Sequence, residues 1–147
     1  MKIIEFLEHS RQRLVTCLPE ATLSAVAKLL YGHSIGAMPV CELGGRMIGI
    51  VSERDLVRVF AETDWSELAF MRVRDMMTKQ VVTCGPDDSM TTAQKLMRTH
   101  HIRHLPIIED GRVKGMLSLR DTMALRLQES ADEMNVLRDV VVASQHY

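Results

Sequence analysis

The sequence is poor in the residues that mark several large classes of protein. Aromatic residues make up only 4% of its 147 positions, and it has three cysteines and four prolines. An odd number of cysteines gives no disulfide framework and indicates a reducing compartment. Neither sign of charge dominates, with 18 Lys and Arg against 19 Asp and Glu. The chain therefore lacks the basic footprint of nucleic-acid binding.

Long apolar runs are also missing. Runs such as 38–41 and 140–143 are far too short to cross a bilayer. Glu5 and Glu8 interrupt the apolar residues near the start, so that segment does not read as a signal peptide. We therefore expect a cytoplasmic protein with no membrane attachment. A composition of 46% hydrophobic and 25% charged residues suits one domain, or two small ones that share a core.

An internal repeat organises the chain. The pattern Val-Thr-Cys-x-Pro stands at 15–19 and again, 67 residues later, at 82–86. Beyond one extra residue in the first copy, Gly45, the offset becomes 66. With that offset, Gly-x-x-Ser-x-Arg-Asp stands at 49–55 and at 115–121. We interpret the chain as a duplication of one structural unit.

Each copy predicts the same order of elements, β-α-β-β-α. Thr22 and Ser89 offer hydroxyl caps for a first helix after a brief β segment. Asp110-Gly111 is a strong hairpin signal between two further strands, and a second helix follows each hairpin. One copy alone is too small to bury much surface. We therefore predict an α+β fold in which two pseudo-symmetric copies pack through their sheets.

The repeat also sets the expected division of the chain. We predict an N-terminal helix at 1–11, a first copy at 12–62, a linker at 63–78, a second copy at 79–127 and a helical tail at 128–147. In the tail, Met134, Leu137 and Val141 are spaced as on one helix face.

The paired motifs resemble a tandem pair of CBS domains, known as a Bateman module. The resemblance rests on the repeated Gly-x-x-Ser-x-Arg-Asp segments, on Val-Arg-Asp-Met-Met-Thr at 73–78 and on His-Ile-Arg-His-Leu-Pro at 101–106. It implies a stand-alone regulatory or sensor module that binds adenosine nucleotides in clefts between the copies. AMP is the first expected ligand, followed by ATP, ADP or NAD(H). A homodimer and a regulated protein partner, which the sequence does not identify, are also implied, and no cofactor is required.

Two interpretations of Ser-x-x-Asp remain open. In the first, each Ser and Asp only caps a helix. In the second, the helix N-terminus, the Ser hydroxyl and an Arg hold a phosphate, while the Asp accepts both hydroxyls of a ribose. The repetition favours the second interpretation, which assigns binding roles to Ser52, Arg54, Asp55, Ser118, Arg120 and Asp121.

The same resemblance assigns a base pocket to the first β segments and to the two proline segments. These residues are Thr16, Ala37, Met38, Pro39, Thr83, His104, Leu105 and Pro106. Backbone groups freed by proline would read the adenine edges. The alternative for the two threonines is that they are ordinary strand residues.

Basic side chains distinguish the second copy from the first. His101, Arg103 and His104 stand where the first copy has Ser34, Gly36 and Ala37. We interpret the three as a positive rim for phosphate, and therefore expect unequal affinities in the two clefts. His100 and His104 are not expected to share a helical face, and no Cys or acidic residue completes a zinc-like set. We therefore predict no metal site.

No pattern of catalytic residues is present. The sequence has no Gly-x-Ser-x-Gly, no P-loop and no Rossmann glycine set. We expect a protein that is not an enzyme and has no catalytic residues. The main alternative to a nucleotide-binding module is a ligand-free dimerisation or scaffold protein, and a more remote one is a small hydrolase of unrecognised type.

Overall fold

The computed structural model describes residues 1–11 and 13–144 and contains the predicted duplication in an α+β fold. The first copy holds α2 (Leu23–Gly32), β1 (Ala37–Cys41), β2 (Met47–Ser52) and α3 (Glu53–Glu62). The second holds α6 (Met90–Thr99), β3 (His104–Glu109), β4 (Arg112–Ser118) and α7 (Leu119–Ser144). Helix α1 (Ile3–His9) precedes the first copy, and the short helices α4 (Trp65–Leu68) and α5 (Val73–Met76) precede the second. Residue 12 of the predicted first copy and residues 145–147 of the predicted tail lie outside the described residues.

The helix starts follow the predicted capping residues. The Thr22 hydroxyl accepts the Ala25 N–H at 3.1 Å, and the Ser89 hydroxyl accepts the Thr92 N–H at 3.1 Å. Each bond satisfies one of the backbone donors that a helix N-terminus leaves free. Both predicted caps are confirmed. Among the described residues, no helix combines the length and the apolar character needed to cross a membrane.

Each copy contains one antiparallel hairpin, β1–β2 or β3–β4. In the second hairpin Glu109 pairs with Arg112, and the two residues between them have φ values of 52° and 75°. Asp110 and Gly111 therefore form the two-residue turn that requires left-handed backbone at both positions. This confirms the Asp-Gly hairpin signal.

The first β segment of each copy is shorter than predicted. It contributes no strand, but only a single parallel bridge, from Cys17 to Val40 and from Cys84 to Ile107. Cys17 donates its N–H to Pro39 O at 3.1 Å and accepts the Cys41 N–H at 2.9 Å. Pro19, two residues further on, has no N–H with which to extend the ladder, and the chain turns there.

The two hydrophobic cores are completed by an exchange of helices. Helix α1, which precedes the first copy, buries Ile3 and Phe6 in the core of the second copy. Helix α5, which precedes the second copy, buries Val73 and Met76 in the core of the first. Full burial of one such side chain contributes roughly 1.5–3 kcal/mol. We call α1 and α5 the lead-in helices.

Backbone hydrogen bonds show that the exchange is pseudo-symmetric. Ile3 N–H donates to Asp88 O, and Val73 N–H donates to Ala21 O, both at 2.9 Å. Asp88 and Ala21 are equivalent positions in the repeat, 67 residues apart. The hairpin ends also meet, through a bridge between Arg46 and Arg112. The two copies are thus joined by both the lead-in helices and the hairpins.

The glycine of each Gly-x-x-Ser motif lies close to a lead-in helix, Gly49 next to Met77 just after α5 and Gly115 next to Leu7 within α1. A Cβ on Gly49 would lie 2.6 Å from Met77 Sδ and 3.0 Å from the backbone oxygen of Thr78. A Cβ on Gly115 would lie 2.6 Å from Leu7 Cδ2 and 3.5 Å from Ile107 Cδ1. The motif therefore needs glycine because another segment passes close to the strand.

The unequal surroundings of the two glycines lead to a stability prediction. Gly49→Ala should lower the free energy of unfolding by about 1–3 kcal/mol, because a backbone oxygen must move as well as a side chain. Gly115→Ala should cost less, since only the ends of flexible side chains need to shift. Urea denaturation measures both, with Gly32→Ala as the control, because a Cβ there meets nothing within 4 Å. Equal stability of Gly49→Ala and Gly32→Ala would contradict this packing.

Candidate functional site

The Ser52–Asp55 segment forms a complete capping box at the start of α3. Asp55 Oδ2 accepts the Ser52 N–H at 2.9 Å and the Ser52 hydroxyl at 3.0 Å. In return, the Asp55 N–H donates to Ser52 Oγ at 3.3 Å. The structure therefore contains the helix cap that the first interpretation of this motif describes. It occupies one carboxylate oxygen, Oδ2.

The second copy repeats this arrangement at the start of α7. Asp121 Oδ2 accepts the Ser118 N–H at 2.9 Å and the Ser118 hydroxyl at 2.8 Å. The Asp121 N–H donates to Ser118 Oγ at 3.1 Å. The two motifs thus have the same local geometry, as the repeat predicts.

Two residues that sequence reasoning did not assign to the site contact the other oxygen of Asp55. Thr78 Oγ1 donates to Asp55 Oδ1 at 3.4 Å, and Arg58 Nη2 lies 3.5 Å from the same atom. Arg58 also donates to Met76 O at 3.2 Å. Thr78 ends the Val-Arg-Asp-Met-Met-Thr segment, and Arg58 stands one helical turn after Asp55. These two sequence positions are the signals that could have pointed to the contacts with Asp55. The end of α5 and the residues just after it therefore form one wall beside Asp55.

The arginines inside the two motifs are exposed. Arg54 and Arg120 both point to solvent. In the part of the chain that the structure describes, the ion pairs involve other residues, and neither guanidinium takes part in one. A helix N-terminus and an adjacent cation with no partner can together attract an anion.

The structure places the basic segment of the second copy beside Ser118 and Asp121. His104 is the register partner of Ser118, and Leu119 N–H donates to Arg103 O at 2.8 Å. In the first copy, Ala37 pairs with Ser52 in the same way. His101 and Arg103 are exposed, and His101 has a φ of 53°. The predicted rim segment therefore lies beside the Ser-x-x-Asp motif in the second copy, and Ala37 holds the equivalent position in the first copy.

The imidazole of His104 reaches across to the first copy. A Cβ on Gly36 would lie 2.9 Å from His104 Cε1 and 3.4 Å from Glu53 Oε2. His104 is half-buried, and this burial lowers its pKa below the ordinary value of 6.5. Arg103 acts in the same direction, whereas Glu53 and Asp121 oppose it. His104 therefore gains its charge at a lower pH than an unperturbed histidine.

The proline segments are buried and use their carbonyl groups within the fold. The side chains of Met38, Pro39 and Leu105 are fully buried, and those of Ala37 and Pro106 are buried. Pro39 O accepts the Cys17 N–H at 3.1 Å, and Pro106 O accepts the Cys84 N–H at 3.0 Å. These two carbonyls therefore have hydrogen-bond partners within the fold.

The predicted threonines differ in their surroundings. Thr16 is exposed and lines a cavity of about 330 Å³ between the two copies, together with Cys41, Leu43 and Val113. Thr83 is half-buried. A larger, open cavity of about 600 Å³ lies against α5 and is lined by Ile48, Asp75, Met77 and Lys79 among others. These volumes are in the range of small-molecule sites. Of the predicted site residues, Thr16 alone lines either cavity.

The buried thiols and the other potential metal ligands do not form a reactive centre. Burial raises the pKa of the Cys17 thiol to about 11, with Cys41 nearby adding to the effect. Burial likewise raises the pKa of Cys84 to about 12, and Asp88 adds to it. Such thiols are small core residues rather than nucleophiles. Across residues 1–11 and 13–144, no three His, Cys, Asp or Glu side chains are grouped to hold a metal ion.

Comparison with known proteins finds the same duplication. The family model described as CBS domain matches residues 7–62 and 73–127. A CBS-domain containing protein from Agrobacterium tumefaciens is 31% identical, with a TM-score of 0.79 over 86% of this chain and 99% of its own. The CBS domain pair of protein MJ0100, in complex with 5-methylthioadenosine and S-adenosyl-L-methionine, is 21% identical, with a TM-score of 0.77 over 88% and 98% of the two chains. The protein CBSX2 in complex with AMP is 24% identical, with a TM-score of 0.76 over 88% and 98%.

Curated relatives are mostly longer than this chain. The chain spans 38% of a Thermofilum pendens protein at 28% identity, and 61% of an Acidianus ambivalens protein at 34% identity. It spans 23% of the inosine-5'-monophosphate dehydrogenase of Bifidobacterium longum, at 31% identity over 128 residues. In these relatives the similar segment is only part of the protein.

The environment of His104 predicts a pH-dependent stability. Because the unfolded chain binds this proton more tightly than the folded chain, the free energy of unfolding should fall as pH drops below about 6.5. The fall should stop once the pH is below the folded-state pKa. His104→Gln should remove this part of the pH dependence, measured by urea denaturation at a series of pH values. An unchanged slope in the variant would contradict the assignment.

Proposed function

This chain belongs to the CBS-domain family, and we propose that it is a regulatory module that binds adenosine nucleotides and controls a partner protein. The observation that carries this proposal is the repeated helix N-terminus. In each copy a Ser hydroxyl, an Asp carboxylate and an exposed Arg stand at the start of a helix of ten residues or more. We infer that the chain is not itself an enzyme, since its motifs include no nucleophile–base arrangement.

We propose that the phosphate lies near the motif arginines. The N–H groups at the start of α3 and α7 and the helix dipole favour an anion. Arg54 and Arg120 can add a bidentate, charge-assisted contact without breaking an existing ion pair. The Ser52 and Ser118 hydroxyls already donate to carboxylates, so in this proposal they act mainly through the cap.

We propose that the ribose contacts Asp55 in one cleft and Asp121 in the other. Capping and ribose binding are compatible for Asp55, because the cap uses Oδ2 and the contacts to Oδ1 are long. A ribose hydroxyl that replaces Thr78 at 3.4 Å would make a shorter bond to a charged acceptor. Thr78 and Arg58 are then further candidate contacts for the ligand.

The ligand class is supported by the relatives. CBSX2 is described in complex with AMP, and the MJ0100 domain pair with two adenosine derivatives that carry no phosphate. We propose AMP as the first ligand, followed by ATP, ADP or NAD(H). The basic side chains of His101 and Arg103 beside Asp121 favour a phosphorylated ligand in that cleft. The corresponding Ser34 and Gly36 beside Asp55 do not, and we therefore propose unequal clefts.

A homodimer fits the exposed apolar residues of α3 and of the segment after it. Val57, Trp65 and Phe70 are 69%, 81% and 83% exposed, and Phe60 stacks edge-on against Trp65 with ring centroids 5.7 Å apart. Exposed apolar residues grouped in this way mark protein–protein contacts. We propose that a second copy covers this surface and that the assembly acts on a partner protein in the cytoplasm.

A scaffold protein without a ligand is the second candidate. It is favoured by one observation, namely that the capping boxes alone account for both Ser and both Asp residues. In that case the motif would stabilise the helices and nothing else. The two candidates differ in what happens to AMP binding when the carboxylates are removed.

Carboxylate substitutions test the ribose role. Asp55→Ala and Asp121→Ala should each weaken AMP binding at their own cleft by about ten- to a hundred-fold, because each removes charge-assisted bonds of about 1.5–3 kcal/mol. Isothermal titration calorimetry on each variant measures the loss.

Thr22→Ala and Ser89→Ala are the matched controls. Each removes a helix cap and about 0.5–2 kcal/mol of stability, yet lies outside the Ser-x-x-Asp motifs, so AMP should bind unchanged. If the double variant at Asp55 and Asp121 binds AMP as well as these controls do, the ribose role is wrong.

A further inference from the structure

Helix α7 continues far beyond the core that holds its first turns. Leu125 is its last residue packed against the second core, and every residue from 126 to 144 is exposed. We call residues 126–144 the outer segment. At 1.5 Å per residue it is about 28 Å long. A solvent-exposed helix of this length is marginal in water, since packing of an apolar face supplies most helical stability in proteins.

The outer segment carries an apolar stripe with alternating spacings of three and four residues. The positions are Leu127, Ser130, Met134, Leu137, Val141 and Ser144. The four apolar members are between 53% and 73% exposed. The spacing keeps the stripe on one side of the helix over two and a half heptads. This is the pattern of a helix that pairs with another helix along a single seam.

The charges beside the stripe indicate what the other helix is. Glu133 immediately precedes Met134, and Arg138 immediately follows Leu137, so the two side chains flank the stripe on opposite sides. Neither takes part in an ion pair within residues 1–11 and 13–144. They are five positions apart, which is the spacing of the charge pair between two parallel helices of a coiled coil.

A second copy of the same helix could pair with the outer segment in a parallel or in an antiparallel arrangement. In a parallel pair, Glu133 of each protomer faces Arg138 of the partner subunit, which gives two attractive contacts. An antiparallel pair aligned over the same stripe brings Glu133 near its own counterpart and Arg138 near its own counterpart, and both contacts are repulsive. The charges therefore select the parallel arrangement.

We propose that the outer segments of two copies form a parallel two-stranded coiled coil. This inference rests on the homodimer proposed above and adds its orientation, but it needs no nucleotide. It holds the two modules with their C-terminal helices side by side and pointing in the same direction. The serines at 130 and 144 replace apolar residues in the seam and therefore weaken the pairing of the two helices. Dimerisation of the modules would hold the two outer segments close together and so raise their effective concentration.

Disulfide trapping tests the pairing in the full-length chain without ligand. Ser144→Cys places a thiol in the seam, where a parallel pair brings the two copies of the residue together and an antiparallel pair separates them. The three natural cysteines are buried, so the new thiol is the accessible one. Mild oxidation should give a covalent dimer on a non-reducing gel. If the protein is dimeric by light scattering but gives no cross-link, the parallel coiled coil is wrong, whatever the outcome for nucleotide binding.

Two neighbouring positions supply a matched pair of variants. Leu137 lies in the stripe and Val136 lies outside it, yet both are 62% exposed. In the Ser144→Cys background, Leu137→Glu should abolish the cross-link, whereas Val136→Glu should leave it unchanged. Since neither residue touches the core, circular dichroism and thermal unfolding of the module should be preserved in both. Equal cross-linking of the two variants would overturn the proposal.

Discussion

Each half of the chain completes its core with a helix that precedes the other half. Ile3 and Phe6 of α1 are buried in the second core, and Val73 and Met76 of α5 in the first. Each core is therefore incomplete without a helix that lies outside its own copy. The segment 63–78, predicted as a linker, does not act as a free one, because Leu68 and Val73 are core residues. The packing that completes each core therefore also sets how the two halves lie relative to each other.

The exchange also determines what surrounds the candidate site. Because α5 packs on the first copy, Thr78 pairs with Ile50 through two backbone hydrogen bonds of 3.0 and 2.9 Å and reaches Asp55. The passage of this segment over β2 requires Gly49, so the first glycine of the Gly-x-x-Ser-x-Arg-Asp motif has a packing role. The start of the motif, Gly49, leaves room for a neighbouring segment to pass close to the strand. Its end, Ser52–Asp55, caps a helix whose N-terminus attracts anions.

Most of the fold could be predicted from local signals. The caps at Thr22 and Ser89 and the Asp110-Gly111 turn depend on neighbouring residues only, so the sequence indicates them directly. The exchange could not be predicted in this way, because the hydrogen bond from Ile3 N–H to Asp88 O is a contact between distant segments with no local pattern. For the site, Ser52–Asp55 and Ser118–Asp121 could be located from the repeat. The position of His104 against Gly36 could not, since it depends on how the two copies face each other.

Nucleotide binding is the central claim, and thermal unfolding with and without ligand tests it most directly. A ligand at a hundred times its dissociation constant should add about 2.7 kcal/mol to the free energy of unfolding. AMP should raise the melting temperature, and GMP at the same concentration should give no comparable rise. If none of AMP, ATP, ADP and NAD(H) raises the melting temperature at millimolar concentration, the chain is a scaffold and the proposed function is contradicted.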